Sequence, residues 1–323
     1  MELAIDRRAF VSGGLILAAG RAWGADPWPN KPVRWVVPYP AGAFTDAAAR
    51  VIGKRLGERL GQQFVIDNKT GAGSNIGTEI VANAPADGHT LLFISTANVI
   101  NTSLYKSLPF DFRRDIVAVA GLVRMPQLIV VNPVVPATTT AQFIAYCKAN
   151  PGKVNMASAG IGTGNHLAGE IFQSMTGTKL THVPYRGTAP AMADLIAGQV
   201  QVIFDNVATS IEHIRAGKIR AIATTTRERL PLLPDVPPVA DTVPGYEAIS
   251  FYGVGVPKGT SPEIVDKLNR EINLAMADPE IARFFAALGT IPATGSPEDF
   301  GRLMDVEGAK WAAAVKATGA SLE

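Results

Sequence analysis

The chain has 323 residues, 47% of them apolar and 18% charged, which excludes a disordered chain and leads us to expect two medium domains. The formal net charge is only +2, and lysines and arginines are scattered without aromatic interleaving, so no electrostatic footprint for nucleic acid exists. Cys147 is the only cysteine, which excludes an intrachain disulfide; lying one helical turn after Phe143 in TTTAQFIAYCKANPG, it reads as a small buried hydrophobe.

In chain order, the first 25 residues read as a signal peptide. Arg7 and Arg8 precede a short apolar run, Ala9 to Gly20, and small residues follow up to Ala25, with cleavage expected after Gly24 or Ala25. The run is shorter than the roughly 20 residues a spanning helix needs, and no later segment is longer, so the mature chain is expected to be soluble. Arg7-Arg8-Ala9-Phe10-Val11 fits a twin-arginine signal except that Asp6 stands where Ser or Thr is preferred; ordinary Sec export is equally compatible.

Beyond the leader, short apolar runs alternate with amphipathic stretches, the pattern of an α/β fold. Strands are predicted at 33–38, 64–68, 91–95, 127–132, 153–158, 181–185, 200–205, 219–225 and 251–257, several rich in Val and Ile without alternation, as in strands covered on both faces. After Thr45 the apolar positions Ala48, Ile52, Leu56 and Leu60 recur every fourth residue until Gly61, which predicts a helix. Leu167, Ile171 and Met175 form a similar stripe ended by Gly177, and Pro190 opens another helix that stops at Gly198. The proline-rich stretch Leu230–Glu247 reads as a fixed extended connection. Ser261-Pro262-Glu263, Asp278-Pro279-Glu280 and Ser296-Pro297-Glu298 then announce three successive helices by a capping residue, a first-turn proline and an acid.

A strand followed by a Gly-rich turn and a helix start recurs at 36–46, at 64–77 and at 154–166, the last of these overlapping ASAGIGTGNHLAGE at 157–170. Helix N-termini carry amides unpaired within the helix and the positive end of the dipole, so such turns attract carboxylate or phosphate. Gly160, Gly162 and Gly164 let the backbone approach a ligand, and Thr163 adds a hydroxyl. Asp46 reads as support for its own helix start. Asp205 reads either as a strand-end residue or as an acceptor for a ligand hydroxyl or ammonium.

Competing chemistries fare less well. Neither Gly71-Ala72-Gly73-Ser74-Asn75-Ile76-Gly77 nor Gly160-Ile161-Gly162-Thr163-Gly164 has dinucleotide spacing, and no Walker lysine follows either. Ser158, His166 and Asp205 stand in an order compatible with a hydrolase triad, but Ser158 is not in a Gly-x-Ser-x-Gly elbow. His166 and Glu170 share a helix face, yet His89, His182 and His213 lie in separate segments without ligand spacing, so no metal and no cofactor are expected.

The stretch from WPNKPVRWVVPYPAGAFTDAAARV to APADGHTLLF, together with GIGTGNHLAGEIF, THVPYRGTAPAMADLIAGQVQVIFD and GVPKGTSPEIVDKLNREI, resembles the Bug family, the periplasmic solute-binding proteins of tripartite tricarboxylate transporters. The resemblance covers essentially the whole mature chain. It implies a two-lobed type II periplasmic-binding-protein fold with a hinge crossed twice, lobe 1 being 26–125 with 249–323 and lobe 2 being 126–248. It also implies a site walled on one side by the turn from Tyr39 to Asp46 (Tyr39, Ala41, Gly42, Phe44, Thr45, Asp46) and by Gly73 and Ser74. The other wall is then Ser158, Gly162, Thr163, His166 and Asp205, with the ligand carboxylate on Ser158, Gly162 and Thr163. Ala43 and Ser74 stand where the family usually has glycine, and Phe44 adds bulk at the first turn; the added methyl and aromatic groups are expected either to reduce water at that wall or to reshape it for an apolar or aromatic acid.

The resulting expectation is a monomeric, non-enzymatic periplasmic receptor for a small mono-, di- or tricarboxylate, handing its ligand to membrane transporter subunits or a sensor kinase ectodomain. The alternatives are an exported hydrolase using Ser158 and His166, and an interaction module without transport.

Overall fold

The computed structural model describes residues 28–318 and 321–322; the predicted leader, 1–25, and its cleavage site lie outside them. In chain order the elements are β1 (Val33–Val37), α1 (Phe44–Leu60), β2 (Phe64–Asn68), α2 (Asn75–Ala82), β3 (Thr90–Ser95), α3 (Thr96–Leu104), α4 (Phe112–Asp115) and β4 (Ile116–Val131). There follow α5 (Thr140–Ala149), β5 (Asn155–Ser158), α6 (Gly164–Thr176), β6 (Thr181–Pro184), α7 (Thr188–Ile196), β7 (Val202–Asn206), α8 (Val207–Arg215) and β8 (Arg220–Thr224). The chain ends with β9 (Ile249–Pro257), α9 (Pro262–Met276), α10 (Pro279–Ala287), β10 (Ile291–Pro292) and α11 (Pro297–Thr318).

The described strands form one ten-stranded sheet in the order β2-β1-β3-β9-β4-β7-β5-β6, with β8 and β10 also on β4. Strand β4 joins its two halves. From Ile116 to Pro126 it runs antiparallel to β9, and from Gln127 to Val131 it runs antiparallel to β7, with β8 on its other side. The change of partner falls at Pro126, whose ring nitrogen has no hydrogen to give a ladder. The chain passes between the halves here and again between β8 and β9, where the Thr225 amide donates to the Gln127 carbonyl at 2.9 Å and the Ala248 amide to the Thr225 carbonyl at 3.1 Å.

Burial on both faces explains the unbroken apolar strands. In β1, Val33, Trp35, Val36 and Val37 are all fully buried. Trp35 and Val36 lie in separate apolar clusters on opposite faces, as the two-residue period of a strand requires. Helix α1 lays Ala48, Ala49, Ile52 and Leu56 on one of these faces, each larger side chain contributing roughly 1.5–3 kcal/mol by burial. Its Gly53 is a close-approach position: an added Cβ would lie 3.3 Å from Phe64 Cβ and 3.7 Å from the Trp35 ring. Cys147 is fully buried, and burial pushes its thiol up to about 12, so it is an inert core group.

Several expectations need adjustment. The strand predicted at 127–132 starts eleven residues earlier, at Ile116, because Gly121, Arg124 and Pro126 obscure a pattern that long-range pairing with β9 holds extended. Helix α7 begins at Thr188, two residues before Pro190. Leu230–Glu247 is held in place but not extended: it folds into turns, bridges Leu230 to Leu233 and Pro238 to Thr224, and buries Val239 and Tyr246 completely. Helices α9, α10 and α11 start at the predicted prolines, but Ser261 makes no side-chain cap, whereas Asp278 accepts from the Glu280 amide.

Candidate functional site

Five strand-to-helix junctions on one side of the sheet converge on a single cleft. The N-termini of α1 (Ala43, Phe44, Thr45), α3 (Ser95, Thr96, Ala97), α6 (Thr163, Gly164, Asn165), α7 (Gly187, Thr188) and α8 (Asn206) line a space of about 470 Å³ between the two sheet halves. Crevices beyond the carboxyl ends of strands in open α/β sheets are natural binding sites, and here the dipoles of these helices add on the same volume. No side chain caps α1, α7 or α8. The lining contains one cation, Arg186, and no carboxylate.

The second-half wall is built by the turn 159–163. Gly160 and Gly162 take φ values of +137° and +76°, a region that strains any residue with a Cβ. The Thr163 hydroxyl donates to the Gly160 carbonyl at 2.7 Å and accepts from the His166 amide at 3.5 Å, closing the turn and capping α6. The Gly162 amide is spent within the turn, donating to His166 Nδ1 at 3.3 Å.

Beneath the turn lies a buried polar cluster. Ser158 is fully buried, with Oγ 2.6 Å from His182 Nε2. The His166 and His182 rings stack at a centroid distance of 4.0 Å. Burial, with the second imidazole alongside, pulls His166 down to about 4, and burial likewise lowers His182. Asp205 is fully buried, and its Oδ2 accepts from the Thr209 hydroxyl at 2.5 Å and the Ser210 hydroxyl at 2.8 Å. Burial pushes it up to about 6, although these two hydroxyls pull the other way. Ser158, His166 and Asp205 therefore do not line the cleft but support the backbone that does. Ser158 meets His182 and not His166, and its burial bars a substrate carbonyl from its oxygen.

On the first-half wall, the Tyr39 hydroxyl and Ser95 Oγ are hydrogen-bonded at 2.7 Å, and burial raises the Tyr39 phenol. Phe44 packs against Tyr252 with centroids 4.9 Å apart. Asp46 turns away from the cleft, accepting from the Gly42 amide at 2.9 Å and pairing with Arg50 at 2.9 Å, contacts that hold its carboxyl below the usual range. Ala41 is exposed and, like Gly42, lies outside the lining.

Gly73, Ser74 and Gly162 line a second chamber of about 210 Å³ that shares Tyr39, Pro40, Ala97 and Thr163 with the cleft. Ser74 has φ +84°, a conformation glycine adopts freely, so the non-glycine residue here is strained, typically by about 1 kcal/mol or more.

Of the predicted residues, the structure brings Tyr39, Phe44, Thr45 and Thr163 together in the cleft. Sequence reasoning missed Gln127, Arg186, Ser250 and Tyr252. Arg186 immediately follows a predicted strand and precedes a glycine, a signal of the kind used at the other turns. Gln127 and Ser250 meet only where β4 and β9 run side by side, with Gln127 Nε2 3.4 Å from Ser250 Oγ, and no local pattern marks that. Buried Thr45 Oγ1 and Gln127 Oε1, both from cleft-lining residues, have no hydrogen-bond partner among the described residues.

Residues 48–320 match the profile of the tripartite tricarboxylate transporter family receptor. The chain belongs to that family. BugT of Bordetella pertussis is 37% identical over 324 residues, covering 99% of each protein. An R. palustris protein solved with adipate has a TM-score of 0.83 at 37% identity, over 91% of this chain and 100% of that one. MatC from Rhodopseudomonas palustris, with bound malate, has a TM-score of 0.79 at 30% identity, over 89% of this chain and 99% of that one. The α/β fold expected from the sequence is thus that of solved binding proteins of this family, consistent with two lobes, and the strand-to-helix cleft of this receptor lies between the two halves of its sheet.

Proposed function

We propose that this receptor is exported to the periplasm and, as a monomer, captures a small carboxylate between lobe 1 (26–125 with 249–323) and lobe 2 (126–248) for delivery to membrane transporter subunits. One observation carries the reading: the N-termini of α1, α3, α6, α7 and α8 converge on a cleft with no acidic residue in its lining. Binding of adipate and of malate by solved relatives of similar fold supports it. No helix among the described residues is long and apolar enough to cross a membrane, so membrane delivery falls to partners.

Thr163, Gly164 and Asn165 meet the ligand carboxylate, Thr45 supports it from the opposite wall, and Tyr39, Phe44 and Tyr252 bound its hydrocarbon part. Gly73, Ser74 and Gly162 shape the adjoining chamber. A ligand that touches both walls only when the lobes are together favours closure by that differential contact, and the closed form is what a transporter recognises.

Thermal unfolding against a panel of carboxylates tests this. At one hundred times its dissociation constant a ligand adds roughly 2.7 kcal/mol. Thr163→Asp keeps an N-cap, since Asp caps helices well, but sets a negative charge at the grip; it is expected to abolish the shift while the protein remains folded. A panel without a stabilising acid, or a shift that survives Thr163→Asp, overturns the reading or its site respectively.

A further inference from the structure

We propose that Arg186 determines specificity, selecting acids with a second anionic group at the end remote from the carboxylate held at the α6 N-terminus. This rests on the carboxylate reading above. Arg186 is the one charged residue in the lining. Its side chain is exposed and makes no ion pair or hydrogen bond with any described residue, unlike Arg50, which is neutralised by Asp46 at 2.9 Å.

The backbone that carries Arg186 is fixed on both sides. Before it, the Tyr185 hydroxyl donates to Asp194 Oδ2 of α7 at 2.7 Å. After it, the Gly187 amide donates to the Ala159 carbonyl at 3.2 Å, tying the Arg186 turn to the turn that opens α6. Two anion-attracting groups therefore rise from backbone segments that are tied together: the α6 N-terminus, and Arg186 at the residue before the N-cap of α7, whose start no side chain caps.

Part of the lining has the opposite character, alongside the polar Thr45, Ser95, Thr96, Gln127, Asn206 and Ser250. Pro40, Ala43, Phe44, Ala97 and Tyr252 present apolar surface, and Phe44 is braced by Tyr252 and, at 6.2 Å, by Phe285. A hydrocarbon spacer matches this surface, and a carboxylate matches each end. The planar fork of arginine holds a carboxylate by two parallel hydrogen bonds, which a lysine ammonium cannot reproduce.

Isothermal titration of the purified protein with acids of equal carbon number, adipate against hexanoate and succinate against butyrate, tests the assignment. In at least one pair the diacid is expected to bind tenfold or more tightly than the monoacid. Arg186→Gln is expected to cut that ratio below threefold by weakening the diacid, and Arg186→Lys to retain an intermediate ratio. Equal binding of both members of each pair, or an equal loss for both in Arg186→Gln, overturns the role of Arg186 and leaves the carboxylate reading standing. Binding of no acid in either pair overturns this proposal, and the thermal panel then decides the carboxylate reading by itself.

Discussion

The imidazoles of His166 and His182 stack face to face 4.0 Å apart beneath the turn that forms one wall of the cleft. Each ring has a defined task. His166 Nδ1 accepts from the Gly162 amide, and His182 Nε2 is bonded to Ser158 Oγ. Only an unprotonated Nδ1 can accept that amide, so the turn geometry depends on a neutral His166.

The first prediction concerns pH. His166 is lowered from 6.5 to about 4 by burial, with the His182 ring adding to it, while Glu170, 3.6 Å from its Nε2, is itself raised by burial. Between those values the unfolded chain binds the proton and the folded chain does not, so stability is lost as pH falls from about 6.5 to about 4. The loss is about 3 kcal/mol. Urea unfolding of the protein and of His166→Gln at pH 7, 5.5 and 4 should show wild-type stability falling relative to the variant; a constant difference contradicts this role.

Asp205 gives the opposite slope. Its carboxyl is raised from 3.8 to about 6 by burial, despite the Thr209 and Ser210 hydroxyls, so the folded state takes up a proton the unfolded state does not. Wild type should gain about 3 kcal/mol relative to Asp205→Asn as pH falls from about 6 to about 4. The same denaturation series checks it, and a wild-type stability that stays constant or falls relative to Asp205→Asn on acidification counts against a raised Asp205 carboxyl.

A third prediction tests packing where α6 meets the crossing strands. A Cβ on Gly164 would lie 2.6 Å from Ser250 Oγ and 3.1 Å from Gln127 Nε2. Gly164→Ala should cost roughly 1–3 kcal/mol by overpacking and weaken any carboxylate that the cleft binds. Adding Ser250→Gly should restore part of the stability, and failure of that rescue would place the strain elsewhere.

The α/β class, the turns at 36–46 and 154–166 and the proline-marked starts of α9, α10 and α11 were legible in the sequence. Hydrophobic period, glycine and proline act within a few residues of themselves, and those local constraints survive folding. The resemblance to the family rested on such ordered local motifs, and its two-lobed fold followed from them.

Which polar side chains face the cleft was decided by tertiary packing. Ser158, His166 and Asp205 sit at or beside the right junctions, yet each turns inward because the neighbouring strands and helices offer partners: His182, the Gly162 amide, and the hydroxyls of Thr209 and Ser210. Gln127 and Ser250 reach the cleft through the pairing of β4 with β9, which joins residues more than a hundred positions apart. Sequence periodicity specifies where a strand ends and a helix begins. The direction of a single side chain at that junction depends on the hydrogen-bonding groups that distant segments bring to it, and only the folded chain supplies those.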